Sequence, residues 1–211
     1  YRILTLGSLF GNVGFFGMPL ITSVFPNDPV VLCYSCAYVI SMNLIVFTFG
    51  TYLITNDKKF VSFKNAILNP AILSLLVALP LFIFKVDLPD IVDEAIALPA
   101  KMVTPVCMII IGMRLGASKL KNLVTRPFVY IVCLIKLVIY PLFAYLCVAF
   151  IPGLTDVFKI SIFVISMTPS ASIVCSLAEL HRCEQELSMN VVLMATLMCV
   201  ITIPLMLLIV G

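Results

Sequence analysis

Apolar positions in this chain form long unbroken blocks, without the alternation of a half-buried strand or the one-sided stripe of a soluble helix. Seven blocks can be marked, at about 3–25, 30–55, 66–85, 97–115, 128–151, 157–180 and 187–210. Each is close to the ~20 residues a helix needs to cross ~30 Å of hydrocarbon. The pattern predicts an all-α polytopic membrane protein. Two blocks are interrupted at mid-span. The first contains Phe10-Gly11-Asn12-Val13-Gly14-Phe15-Phe16-Gly17-Met18-Pro19-Leu20, with three glycines, an asparagine and a proline. Proline inside a helix costs roughly 3 kcal/mol or more, and the ring of Pro19 crowds the carbonyl of Phe15. The sixth contains Ser166-Met167-Thr168-Pro169-Ser170-Ala171-Ser172, small and hydroxyl residues around a proline. Non-helical backbone persists in a bilayer only where protein or a wet cavity satisfies its polar groups. Residues 10–20 and 166–172 are therefore predicted as breaks in discontinuous membrane helices, a feature that marks solute sites.

The two interruptions share a spacing. Asn12 and Pro169 are 157 positions apart, as are Val30 and Leu187, which open the following blocks. This is a repeat of architecture rather than of letters. A unit running from Ala66 to the chain end holds five spans, and an odd number makes consecutive units enter the membrane from opposite sides. The expectation is an inverted 5+5 repeat with two crossed discontinuous helices. Residues 1–55 would be the last two helices of the first unit, 56–65 a cytoplasmic linker and 66–211 the second unit. The same offset calls for about ninety residues, roughly three spans, before Tyr1, and ten spans in all, whereas the C-terminus falls where the unit should end.

Charge placement supplies the topology. Lys58, Lys59 and Lys64 lie in one connection, Arg114, Lys119, Lys121 and Arg126 in another, and Arg182 in a third. The connections between these are acidic or lack cations, so the cationic ones are assigned to the cytoplasm. Residue 1 is then cytoplasmic and residue 211 extracytoplasmic, in a multi-pass protein of the plasma membrane.

Composition agrees: 63% of residues are hydrophobic and 11% charged, outside the range of soluble domains. Seven of eight cysteines lie within apolar blocks, which is no secreted disulfide framework. Cys33 and Cys36 have CxxC spacing; they are either a redox pair or two small packing residues on one helix. No Walker loop, GxGxxG, HExxH or GxSxG motif is present, so neither ATP-driven transport nor an enzyme is expected. No cofactor, metal or nucleic-acid partner is expected.

Half-helices crossing at mid-membrane would present free N–H groups and partial positive charge, which favours an anion such as a carboxylate. Asn12 can add an amide donor, and Thr168, Ser170 and Ser172 hydroxyls. Asn12 can instead cap its own helix, and the serines can serve close packing. Lys136 stands ~12 Å inside the fifth block at helical rise, where a cation costs at least ~2.5–3.5 kcal/mol. It neutralises an anionic solute, pairs with a carboxylate elsewhere, or bonds to carbonyls of a broken helix. Asn43, in the second block, is read as a bond across helices, Asn69-Pro70 as a cap with a first-turn proline, and Thr104-Pro105 as a kink.

The stretch Asn12-Val13-Gly14-Phe15-Phe16-Gly17-Met18-Pro19-Leu20 resembles the N-x-x-x-x-G-x-P-L crossover motif of the auxin efflux carrier family of membrane transport proteins. Asn43 with Gly50, Asn69-Pro70, Thr104-Pro105 with Gly112, Lys136-Leu137 with Pro141, and Thr202-Ile203-Pro204-Leu205 follow in the family's order. The short 56–65 connection is similar to bacterial, malonate-permease-like members. The resemblance implies a ten-helix, bile-acid-symporter-like fold whose fourth and ninth helices are the crossed ones. It implies transport of a small organic anion, with Asn12 at the carboxylate and Pro19 and Pro169 flanking or forming the crossing; Asn12, Gly14, Gly17, Pro19, Lys136, Thr168, Pro169, Ser170 and Ser172 are the candidate substrate-binding residues. It also implies an elevator-like motion and a homodimer in the lipid bilayer; the residues themselves leave H⁺ coupling, Na⁺ coupling and passive movement as alternatives. A sodium-coupled bile-acid-type symporter, a seven-span receptor and a membrane thiol enzyme are the competing readings.

Overall fold

The computed structural model describes residues 2–26, 28–56, 70–117 and 126–210. Most of the 56–65 linker, Asn69, Lys119, Lys121 and both chain ends lie outside the described residues. Among those described, all regular structure is helical apart from one isolated β-bridge.

Helix α1 (Arg2–Leu9) ends where the chain leaves helical geometry. The break covers only residues 10–12. A π-helical turn, Val13–Gly17, follows and runs into α2 (Met18–Val24). The predicted break at 10–20 was thus too wide, and Gly14, Gly17 and Pro19 belong to the second half-helix. Pro19 explains the turn. It has no N–H for the carbonyl of Phe15, so the preceding turn widens rather than breaks. The N–H groups of Phe16 and Gly17 both donate to the carbonyl of Asn12, each at 3.0 Å.

Helix α3 (Pro29–Ile45) starts on Asp28, whose carboxylate accepts from the Val30 and Val31 amides at 2.9 and 3.3 Å. It continues through a π turn, Val46–Gly50, into α4 (Thr51–Thr55). Next come α5 (Pro70–Ile83) and α6 (Asp90–Ala117). The latter begins inside the acidic connection, seven residues before the apolar block at 97, because Asp90 and Asp93 suit a helix N-terminus. It runs on through Pro99 and Pro105. Helix α7 (Pro127–Leu134), a π turn (Ile135–Ile139) and α8 (Tyr140–Ala149) form one continuous rod. Pro141 denies a donor to Leu137 as Pro19 does to Phe15. Helix α9 (Asp156–Ser166) ends at the second break, and α10 (Ile173–Leu180) and α11 (Gln185–Val210) complete the chain.

Three helices among the described residues are long and apolar enough to cross a membrane: Val30–Thr55, Pro127–Ala149 and Gln185–Leu208. The broken blocks divide into helices too short to be counted this way. Helices α7, α9 and α11 share one apolar core with Val13 and Ile21, centred on Phe163, Leu137 and Val191. A second core joins α1, α4 and α10 through Leu6, Ile54 and Val174. Phe10 sits in the second core and Met167 in the first, so the breaks are clamped between the two.

Candidate functional site

The two breaks pass each other antiparallel. The amide of Asn12 donates to the Pro169 carbonyl at 2.7 Å and the amide of Ala171 to the Phe10 carbonyl at 2.9 Å, bridging Gly11 to Ser170. Backbone groups that have no helical partner are satisfied by one another, as a bilayer demands. The approach requires glycine at 11. A methyl group built there would collide with Thr168 Oγ1 and lie 2.9 Å from Lys136 Nζ.

Each half-helix has an electrical polarity. The negative ends lie at Leu9 and Ser166, next to the crossing. The Ser170 hydroxyl donates to the Gly7 carbonyl at 2.7 Å. Lys136 Nζ donates to the Ser166 carbonyl at 3.5 Å. The positive ends begin at Val13 and Ile173. First-turn amides such as those of Gly14, Phe15 and Ile173 have no carbonyl a turn earlier to bind.

Those positive ends open on one cavity of about 310 Å³, whose wall includes Asn12, Gly14, Phe15, Asn43, Phe47 and Ser172. The side chain of Asn12 makes no capping bond to its own helix. Ser172 Oγ is buried with no hydrogen-bond partner among the described residues. Asn12, Ser172 and two helix N-termini therefore converge on a largely apolar recess, an arrangement suited to an anion with a carbon skeleton. A second cavity, of about 320 Å³, lies along Phe10, Tyr38, Phe49 and Tyr140. The Tyr38 and Tyr140 hydroxyls are hydrogen-bonded at 3.0 Å. Met42 lines both cavities.

Of the residues singled out from the sequence, Asn12, Gly14 and Ser172 reach the first cavity. Pro169 lies buried in the crossing and supplies a carbonyl. The Thr168 hydroxyl is turned back to the Ile165 carbonyl at 2.9 Å, and that of Ser170 is spent on Gly7. Gly17 is buried beside Thr168, with 3.0 Å between its would-be Cβ and Thr168 Cγ2. Pro19 is exposed on the far side of the π turn. Lys136 stands behind Gly11 rather than on the cavity wall; 1% of it is exposed, and its ammonium also lies 4.1 Å from the Tyr140 ring centroid.

Phe15, Asn43 and Phe47 were not assigned to the site from the sequence. Asn43 carried a signal, an amide in mid-span, but the helix to which it would turn was not deducible. The phenylalanines are indistinguishable in the sequence from lipid-facing ones.

A family model described as membrane transport protein matches residues 55–207. No curated protein and no solved structure matches the chain.

Proposed function

The chain belongs to the membrane transport protein family, that of the auxin efflux carriers its motifs resemble, and from this premise we propose that it is a secondary-active carrier for a small organic anion, a mono- or dicarboxylate. The observation that carries the reading is the cavity where both half-helix N-termini, Asn12 and Ser172 meet. A carboxylate held there receives backbone and side-chain donors without a mobile counter-ion on the cavity wall. The apolar remainder, with Phe15 and Phe47, accommodates the carbon skeleton.

In this reading the protein is not an enzyme. It alternates access at the crossing, in a ten-helix inverted-repeat fold of the plasma membrane with residue 1 in the cytoplasm and residue 211 outside. The spacing of Leu9 and Ser166, the last helical residues before each break, supports the repeat: they are 157 positions apart. Elevator-like movement, a homodimer, and H⁺ or Na⁺ coupling complete the proposal by family resemblance.

Uptake into proteoliposomes of the full-length protein tests it, with labelled malonate, malate and an indole acid as probes. Saturable uptake above protein-free vesicles is expected for at least one. Dependence of that uptake on Na⁺ would favour a sodium-coupled symporter of similar fold. No uptake of any carboxylate, with a tag after residue 211 labelled from the cytoplasm, would overturn both the function and the topology.

A further inference from the structure

The geometry points to Lys136 as a tethered cation: its ammonium occupies the negative end of broken helix α9, the kind of place where a mobile coupling cation is otherwise held in carriers built on discontinuous helices. The side chain enters from the π turn between α7 and α8, and Nζ meets the carbonyl of Ser166, the last residue of α9, at 3.5 Å. Its other near neighbours are the face of Tyr140, at 4.1 Å to the ring centroid, and the space beside Gly11 that a Cβ would fill. A carbonyl and an aromatic face are among the groups a desolvated monovalent cation is given in a protein interior.

The opposite end of the same crossing faces the cavity with positive helix termini. A fixed charge behind Gly11 adds to that field without touching the solute. The ammonium cannot leave with the solute, so the crossing keeps its charge through the cycle and needs no metal ion at α9. This inference takes its meaning from the carrier reading, but its test needs no transported solute.

The test is thermal unfolding of the full-length protein in detergent, in sodium, choline or n-butylammonium chloride at equal ionic strength. Wild-type protein should melt at the same temperature in all three. Lys136→Ala, which opens both the charge site and the stem's space, should melt several degrees lower in choline. Sodium or butylammonium should restore part of the loss, since a ligand bound only by the folded state raises its melting point. If Lys136→Ala does not fold alone, the same variant is expressed and purified with butylammonium present, and loss of the fold on removing the amine is the expected result.

Two outcomes overturn the inference. One is a sodium-specific rise in the melting temperature of wild-type protein that Lys136→Ala abolishes, which would make Lys136 a neighbour of a mobile ion. The other is a variant whose stability answers to no cation. Either leaves the carrier reading standing if carboxylate uptake is found, whereas absent uptake with intact cation rescue removes the carrier and keeps the tethered charge.

Discussion

Asn12 gives its backbone N–H to the carbonyl of Pro169 at 2.7 Å, joining two positions that occupy the same place in each half of the 157-residue spacing. Proline stops α9 and has no N–H of its own to bury, yet its carbonyl remains an acceptor. The bond therefore spans the breaks where neither chain could satisfy itself.

The crossing predicts opposite behaviour for two neighbouring glycines. Gly11→Ala drives a methyl group into Thr168 and Lys136. Overpacking of that kind costs about 1–3 kcal/mol, so the melting temperature should fall by several degrees and transport should be lost. Gly14→Ala meets nothing within 4 Å among the described residues and gains helix propensity of about 1 kcal/mol. Its melting temperature should be unchanged or higher. Equal destabilisation by both would mean that the close approach at Gly11 does not exist in solution.

Asn12→Ala should separate binding from folding. The side chain makes no capping bond and lines the cavity, so its removal should barely move the melting temperature. Loss of a hydrogen bond to a charged carboxylate costs about 1.5–3 kcal/mol, which corresponds to roughly a 10- to 150-fold rise in KM for uptake. Asn12→Asp places like charge beside the proposed anion and should be worse than alanine. A destabilised Asn12→Ala with unchanged KM would return the residue to a structural role.

Ser170 and Ser172 look equivalent in the sequence and should not behave alike. Ser170→Ala deletes the 2.7 Å bond to the Gly7 carbonyl and should cost about 1 kcal/mol of stability. Ser172→Ala deletes a buried hydroxyl that has no partner among the described residues. It should leave stability unchanged or slightly raised and act on the KM for the solute. Melting curves and uptake measured on the same two preparations decide between them.

These contrasts show what the letters could carry. Glycine, proline and asparagine inside apolar blocks are costly enough to be legible, so both breaks and their meeting could be expected from residues 10–20 and 166–172. The width of the first break was not legible. Pro19 widens a turn into π geometry instead of ending it, because a helix can shift its hydrogen bonds by one residue where neighbours hold it. The direction of Lys136 was not legible either. A lysine at mid-span announces its cost, but which carbonyl meets it depends on α9, thirty residues away in sequence. Nor could hydroxyl donors be sorted from the sequence, since Thr168, Ser170 and Ser172 differ only in what lies beside them.

Cys33 and Cys36 give a simple prediction. Both are free and exposed on α3, away from the crossing. The double variant Cys33→Ser, Cys36→Ser should transport at the wild-type rate in reducing and oxidising buffers alike. A redox-dependent loss in the wild type that the serine variant escapes would revive the thiol-enzyme reading.

Pro141 sets the orientation of Lys136 from two residues beyond the π turn Ile135–Ile139. Proline there leaves the Leu137 carbonyl without its usual donor and keeps the turn wide. Alanine restores the N–H, and a regular α-helix becomes available to the whole of 127–149. Closing the wide turn removes one residue's worth of bulge, which rotates α7 against α8 by about 100° and shifts it by about 1.5 Å. Lys136 lies within that turn, so its ammonium would be drawn from the Ser166 carbonyl. Pro141→Ala should therefore reduce uptake at least tenfold while circular dichroism shows equal or greater helix content. A Lys136→Ala, Pro141→Ala double variant should be no worse than Lys136→Ala alone, because both act on one charge. Full uptake by Pro141→Ala would show that packing of α7 and α11, not the proline, holds the turn open.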